Sequence, residues 1–283
     1  MLSGLIYCNY QLQLQNKYVA AHNSRAALFF GFYFLYLISY SGAFFLQLLF
    51  FKKLDYYKNR WFWAILFLAP AFFSLKVIFN WQHSWIINTF KGNDQGLYLR
   101  SINWLVRSAV LLIILYFFWL IKDKGQQPFY GIQPAGSLKP YLIMLLIMLP
   151  LIIAAGTQQD FLKVYPKAAF IKNLPLNSWI DSGRYILFEL CYGFDFLSIE
   201  FFFRGFLILA LLQICGAHCI IPAACFYCAI HLGKPMAEAI SSIFGGLFLG
   251  IIVYNTKSIR GGLLVHLGIA WLMELSGWLM PML

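Results

Sequence analysis

Acidic side chains are scarce in this chain: ten Asp and Glu stand among 283 residues against 21 Lys and Arg, and charged residues of both signs make up only 11%. An ordinary soluble domain carries about 25% charged residues, so a water-exposed globule of this length is excluded by what its surface would lack. The positive excess does not read as a nucleic-acid patch. The basic residues sit mainly between apolar runs, where loops meet anionic lipid headgroups, and no nucleic-acid partner is expected. Residues 1–25 are too polar and too weakly structured for a standard signal peptide, and Cys8 follows Leu-Ile-Tyr rather than the small residues of a lipoprotein site. The six cysteines imply no disulfide framework. No inverted repeat is visible, which sets aside a small transporter with an intramembrane ionisable relay.

What is present is hydrocarbon: 61% hydrophobic and 19% aromatic residues, with a mean hydropathy of +0.72. Several runs approach the ~20 apolar residues that cross a bilayer, at 26–51, 61–80, 102–121 and 140–155. Residues 122–139, punctuated by Gly125, Pro128, Gly131, Pro134 and Gly136, read as a linker. It divides an N-terminal membrane scaffold (1–139) from a C-terminal catalytic-like membrane domain (140–283). The loop 156–183, with Lys163, Lys167 and Lys172, is placed on the membrane surface. The run 185–215 is too long for one span and predicts a break near Gly193-Phe194-Asp195. Apolar runs at 217–231, 235–254 and 263–280 complete the chain. The fold class is all-α: a polytopic integral membrane helix bundle of about eight transmembrane helices, with the first two peripheral to any site.

Lys76 and Arg107 sit inside the second and third runs, but the last hundred residues differ in kind, because there polar side chains enter the apolar runs repeatedly. Glu200 and Arg204 lie four apart, acid first, a spacing that on an α-helix puts both on one face in the better orientation for a pair. An ionisable group inside a span usually faces protein or a water-filled cavity and marks function. His231 ends one run and His266 lies within another; imidazole and carboxylate are the groups that activate water, directly or through a metal. Cys215, Cys219, Cys225 and Cys228, with His218 among them, have metal-like spacing. The residues between them are apolar, and there cysteine reads as a small hydrophobe. Glu238 follows His231 by seven; it is either a further site acid or an N-terminal acid complementing the dipole of the next helix. Ser241, Ser242, Gly245, Gly246 and Gly250 in that next helix predict close helix packing.

Glu200 to Arg204 followed by Gly205, Tyr227 to His231, and His266 resemble the three motifs of the CAAX prenyl protease 2 and bacteriocin-processing family of intramembrane endopeptidases, also called the Abi or CPBP family. The resemblance covers roughly residues 184–280. Two positions depart from it: Ile199 stands where the family has its first glutamate, and Ala270 where it has Asn or Asp. Asp195 lies four before the first and Glu274 four after the second, as candidate compensating acids. The resemblance implies catalysis by Glu200, Arg204, His231 and His266. It also implies a divalent metal, zinc, as candidate cofactor, with His231, His266 and Glu200 as its candidate ligands.

The function so implied is an intramembrane endopeptidase that hydrolyses a membrane-associated or lipid-modified protein or peptide by Glu- and His-activated water. The partners implied are that substrate and the lipid bilayer, and the location is a bacterial cytoplasmic membrane. The alternative is a catalytically silent relative acting as a membrane peptide-binding or bacteriocin-immunity protein.

Overall fold

A computed structural model describes residues 2–21, 24–51, 54–134, 136–168 and 179–280. All regular structure among them is helical: α1 (Leu2–Leu12), α2 (Arg25–Phe50), α3 (Arg60–Ile78), α4 (His83–Thr89), α5 (Gly92–Lys122), α6 (Lys139–Gly156), α7 (Gln159–Leu162), α8 (Trp179–Glu200), α9 (Leu212–Cys215), α10 (Ile220–Ala229), α11 (Met236–Thr256) and α12 (Arg260–Leu279). A π-helix over Leu14–Val19 follows α1, and a second, Phe201–Leu209, continues directly from α8. Among the described residues seven helical stretches are long and apolar enough to cross a membrane, the longest being Ser182–Ala229.

That 48-residue stretch holds two passes. Cys219 Sγ lies 3.7 Å from the carbonyl of Ile208, the rings of Phe202 and Phe226 are 5.6 Å apart, and those of Phe203 and Tyr227 5.0 Å apart. From Phe202 to Ile208 the partner moves back from Phe226 to Cys219, which defines an antiparallel pair, so the chain reverses over 210–219. Gly216 serves that reversal at φ +55°, a conformation costly for any residue with a Cβ. The expected break at Gly193-Phe194-Asp195 is not there: α8 runs through it unbroken. Gly193 is instead a packing glycine, with room for a Cβ only 3.3 Å from Leu267 and 3.4 Å from Trp271 of α12. Part of the loop expected on the membrane surface, 169–178, lies outside the described residues.

The chain forms two compact units that interleave along the sequence. The first comprises Met1–Ile78, Ile113–Pro134 and Phe201–Ile259; the second Phe79–Leu112, Ala135–Glu200 and Arg260–Leu283.

In the first unit α2 and α3 are central rather than peripheral, which corrects the sequence reading for the segments bearing Arg204 and His231. Tyr36 and Tyr40 of α2 pack on Phe226 at 5.1 and 5.5 Å, and Phe73 of α3 packs on Phe202 and Phe203 at 5.0 and 5.4 Å. Aromatic pairs at such separations add about 0.5–1.5 kcal/mol each beyond area burial. The physical reason is composition: with so many Phe and Tyr in the early spans, the best-matched partners for the Phe201–Phe203 run lie there. On α11, Gly246 and Gly250 face α10, where an added Cβ would come within 3.1 Å of Ala224 and 3.0 Å of Ile220, whereas Gly245 faces open space.

The second unit is built on α5 up to Leu112, α6, α8 and α12. Phe188, Tyr192 and Phe196 recur every four residues on α8, the first two against Trp104 of α5 at 5.1 and 4.9 Å. A four-residue step turns about 40° further round an α-helix. By Phe196 the stripe has left α5 and meets α12, with the Phe196 ring 4.5 Å from the imidazole of His266.

The two neighbouring glycines of α11 test this packing. Gly246→Leu is expected to lower stability by about 1–3 kcal/mol through overpacking against α10, and Gly245→Leu to stay within about 0.5 kcal/mol of the parent, both read by thermal unfolding in detergent.

Candidate active site

The stripe on α8 ends at Glu200, one four-residue step beyond Phe196. Its side chain is fully buried, and Oε1 lies 2.9 Å from Nδ1 of His266. A carboxylate accepts, so Nδ1–H is the donor, and the neutral ring then carries its lone pair on Nε2. Tertiary geometry thus makes a carboxylate–imidazole pair from two residues 66 apart in sequence. Such a carboxylate fixes the tautomer and orientation of the ring and raises its basicity. Gly193, by letting α12 approach α8, is what allows the side chains to meet one and two turns further along.

In the first unit a different group forms around Tyr227. The guanidinium of Arg204, only 1% exposed, lies 4.2 Å from the centroid of the Tyr227 ring. A cation over an aromatic face is worth about 2 kcal/mol when desolvated. His231, one turn on, has Nδ1 2.7 Å from the carbonyl oxygen of Tyr227 and its ring 4.6 Å from that phenol ring. Here too Nδ1–H donates and Nε2 keeps the lone pair. Tyr227 entered the sequence reading only as a motif aromatic; the structure makes it the residue that holds Arg204 and His231. The signal was present, since Tyr227 and His231 are four apart on one helical face.

Arg204 sits within the π-helix Phe201–Leu209, all of whose residues are buried. π windings are rare and concentrate at functional sites. The end of this one is tied down by the 122–131 loop: Lys122 Nζ donates to the carbonyl of Ala210 at 2.9 Å and to Asp123 Oδ1 at 2.6 Å, Gln127 donates to the carbonyl of Leu209 at 3.3 Å, and Tyr130 Oη donates to Asp123 Oδ2 at 2.9 Å. Gly205 rests against the Tyr130 backbone, leaving only 2.8 Å for a Cβ.

The other candidate acids are engaged elsewhere. Asp195 accepts from Ser108 Oγ at 2.8 Å, and Glu274 accepts the backbone N–H groups of Lys167 and Ala168 at 2.8 and 3.3 Å. Glu238 pairs with Lys234 at 2.5 Å in the first turn of α11. Ile199 and Ala270 are packed positions, 7% and 3% exposed. Cys215, Cys219, Cys225 and Cys228 are buried free thiols; Cys228 donates to the carbonyl of Ala239 at 3.3 Å, as packed cysteines do. Among the described residues no three His, Cys, Asp or Glu side chains are grouped to hold a metal ion. A catalytic zinc takes three protein donors beside an open position.

The fold and these side chains define a class: a polytopic helical membrane protein with a carboxylate–imidazole pair buried in its late helices. Residues 185–272 match the family model Rce1-like, type II CAAX prenyl endopeptidase Rce1-like. The match agrees with the family that the motifs resemble, and it takes in Glu200, Arg204, Tyr227, His231 and His266. No curated protein and no solved structure gives a significant match.

The Asp123–Tyr130 bond generates a pH prediction. Burial, reinforced by the Asp123 charge and the hydrogen bond to it, raises the Tyr130 phenol above its ordinary pKa. A raised folded pKa means that the stabilisation is whole below the unfolded value of about 10 and is lost as pH rises past it. Wild type is expected to exceed Tyr130→Phe in stability by about 1–3 kcal/mol at pH 7, because the variant leaves a buried acceptor without its donor. That margin is expected to shrink above about pH 10, measured by unfolding both proteins across the alkaline range.

Proposed function

We propose that this chain is an intramembrane endopeptidase that hydrolyses a peptide bond of a membrane-associated or lipid-modified protein or peptide by attack of water. The observation that carries the reading is the buried Glu200 carboxylate 2.9 Å from His266 Nδ1, inside the region matched by a prenyl endopeptidase model. In this scheme the water oxygen bonds to the carbonyl carbon as its proton passes to His266 Nε2, and Glu200 steadies the imidazolium that forms. The proton then moves to the leaving nitrogen as the C–N bond breaks. The family resemblance implies roles for Arg204 and His231 in the same reaction. The substrate reaches the protein from the bilayer, and the site of action is a bacterial cytoplasmic membrane.

Ile199 and Ala270 favour one second reading, a silent relative that binds a membrane peptide or confers bacteriocin immunity, since both place packed apolar side chains where the family has polar ones. Cleavage of a co-expressed membrane peptide separates the two. Glu200→Gln is expected to cut the rate by about 10²–10⁴-fold in a protein that still folds, while Asp195→Asn changes it little. Elemental analysis with chelation is expected to find cleavage persisting in metal-free protein; loss on chelation with recovery on adding zinc would install the metal after all. Should the natural chain cleave no candidate while a peptide co-purifies with it, the binding reading takes over.

A further inference from the structure

The turn after His231 is held from the far end of the sequence. Asn9 of α1, 4% exposed, donates from Nδ2 to the carbonyl of Leu232 at 2.8 Å, and Tyr10 Oη donates to the carbonyl of Lys234 at 2.6 Å. Asn9 is itself fixed, because the backbone N–H of Gln15 donates to its Oδ1 at 3.0 Å. The carbonyls it and Tyr10 engage lie just past α10, where a helix has run out of following N–H groups to satisfy them. Inside the turn, His231 N–H reaches the carbonyl of Cys228 and Lys234 N–H that of His231, both at 2.9 Å. A polar cavity of about 230 Å³, lined by Asn9, Tyr10, Gln13, Asn16 and residues 232–234, opens beside these bonds. The sequence reading left residues 1–25 weakly structured; instead they form α1 and the π-helix Leu14–Val19, stabilised by contacts that composition does not reveal.

We propose that Asn9 and Tyr10 are positioning residues for His231: by anchoring the carbonyls of 232 and 234 they fix the turn on which the imidazole is carried. The consequence for catalysis rests on the endopeptidase reading; the effect on the turn does not. Hydrogen exchange of peptides covering 231–234 reads the turn directly in full-length protein in detergent. One hydrogen bond contributes a factor of about 5 and two about 25. Tyr10→Phe, which removes a single oxygen, is therefore expected to speed exchange about 5-fold, and Asn9→Ala with Tyr10→Phe about 25-fold. Exchange in α11 should stay unchanged as a control for folding. Carbethoxylation of His231 should accelerate in parallel. In a cleavage assay kcat is expected to fall about tenfold with KM steady, since small misplacements of a reacting group act on the chemical step. Unchanged exchange at 231–234 in the double variant overturns the proposal, and so does faster exchange with kcat unaltered. If the natural chain cleaves nothing, the endopeptidase reading fails alone, and exchange with carbethoxylation still decides the positioning role. Should Asn9→Ala not fold, Tyr10→Phe carries the test.

Discussion

An ionised carboxylate inside a membrane span is tolerated only where other groups satisfy it, and in the second unit His266 Nδ1–H donates to Glu200 Oε1 at 2.9 Å. Much of the local architecture serves this bond. Gly193 lets α12 come close to α8, the four-residue aromatic stripe turns round α8 until Phe196 faces His266, and α8 keeps α-helical winding up to Glu200 before the chain changes to a π-helix. Breaking a buried charged pair by deleting one member leaves the other uncompensated, at a cost of about 3–5 kcal/mol. The pair is therefore a structural commitment as well as a chemical one.

The first unit buries a cation, the guanidinium of Arg204. Arg204 lies over the Tyr227 ring, the Tyr227 backbone carbonyl accepts a hydrogen bond from His231 Nδ1–H, and the surrounding wall is aromatic. Tyr36, Tyr40 and Phe73 from the first two spans build that wall, and Lys122, Asp123, Gln127 and Tyr130 secure the end of the π winding. The N-terminal half thus supplies the packing and anchoring without which the motif residues would have no fixed place.

The helical membrane class was legible because hydrocarbon length and apolar composition are local, additive properties. Glu200, Arg204, His231 and His266 were legible because a polar group in an apolar run is conspicuous. The break placed at Gly193 was misread, since a glycine in a span serves close packing as readily as a bend, and only the neighbour across the interface decides which. The π winding after Glu200 left no trace in the sequence: Phe201-Phe202-Phe203 reads identically in either winding. Asn9 and Tyr10 were invisible for a related reason, as their partners are backbone carbonyls more than 220 residues away. Asp195 and Glu274 looked like substitutes one turn from Ile199 and Ala270, but Ser108 and the 167–168 backbone have them as partners, and sequence spacing cannot show that.

The protonation state of the His266 ring tests the central pair most directly. ¹⁵N spectra of histidine-labelled protein, with His266→Gln identifying its signal, report which ring nitrogen carries the proton in the neutral form. The account expects Nδ1–H with a free Nε2, and a loss of that preference in Glu200→Gln. A neutral ring protonated on Nε2, or a signal indifferent to Glu200→Gln, would contradict it.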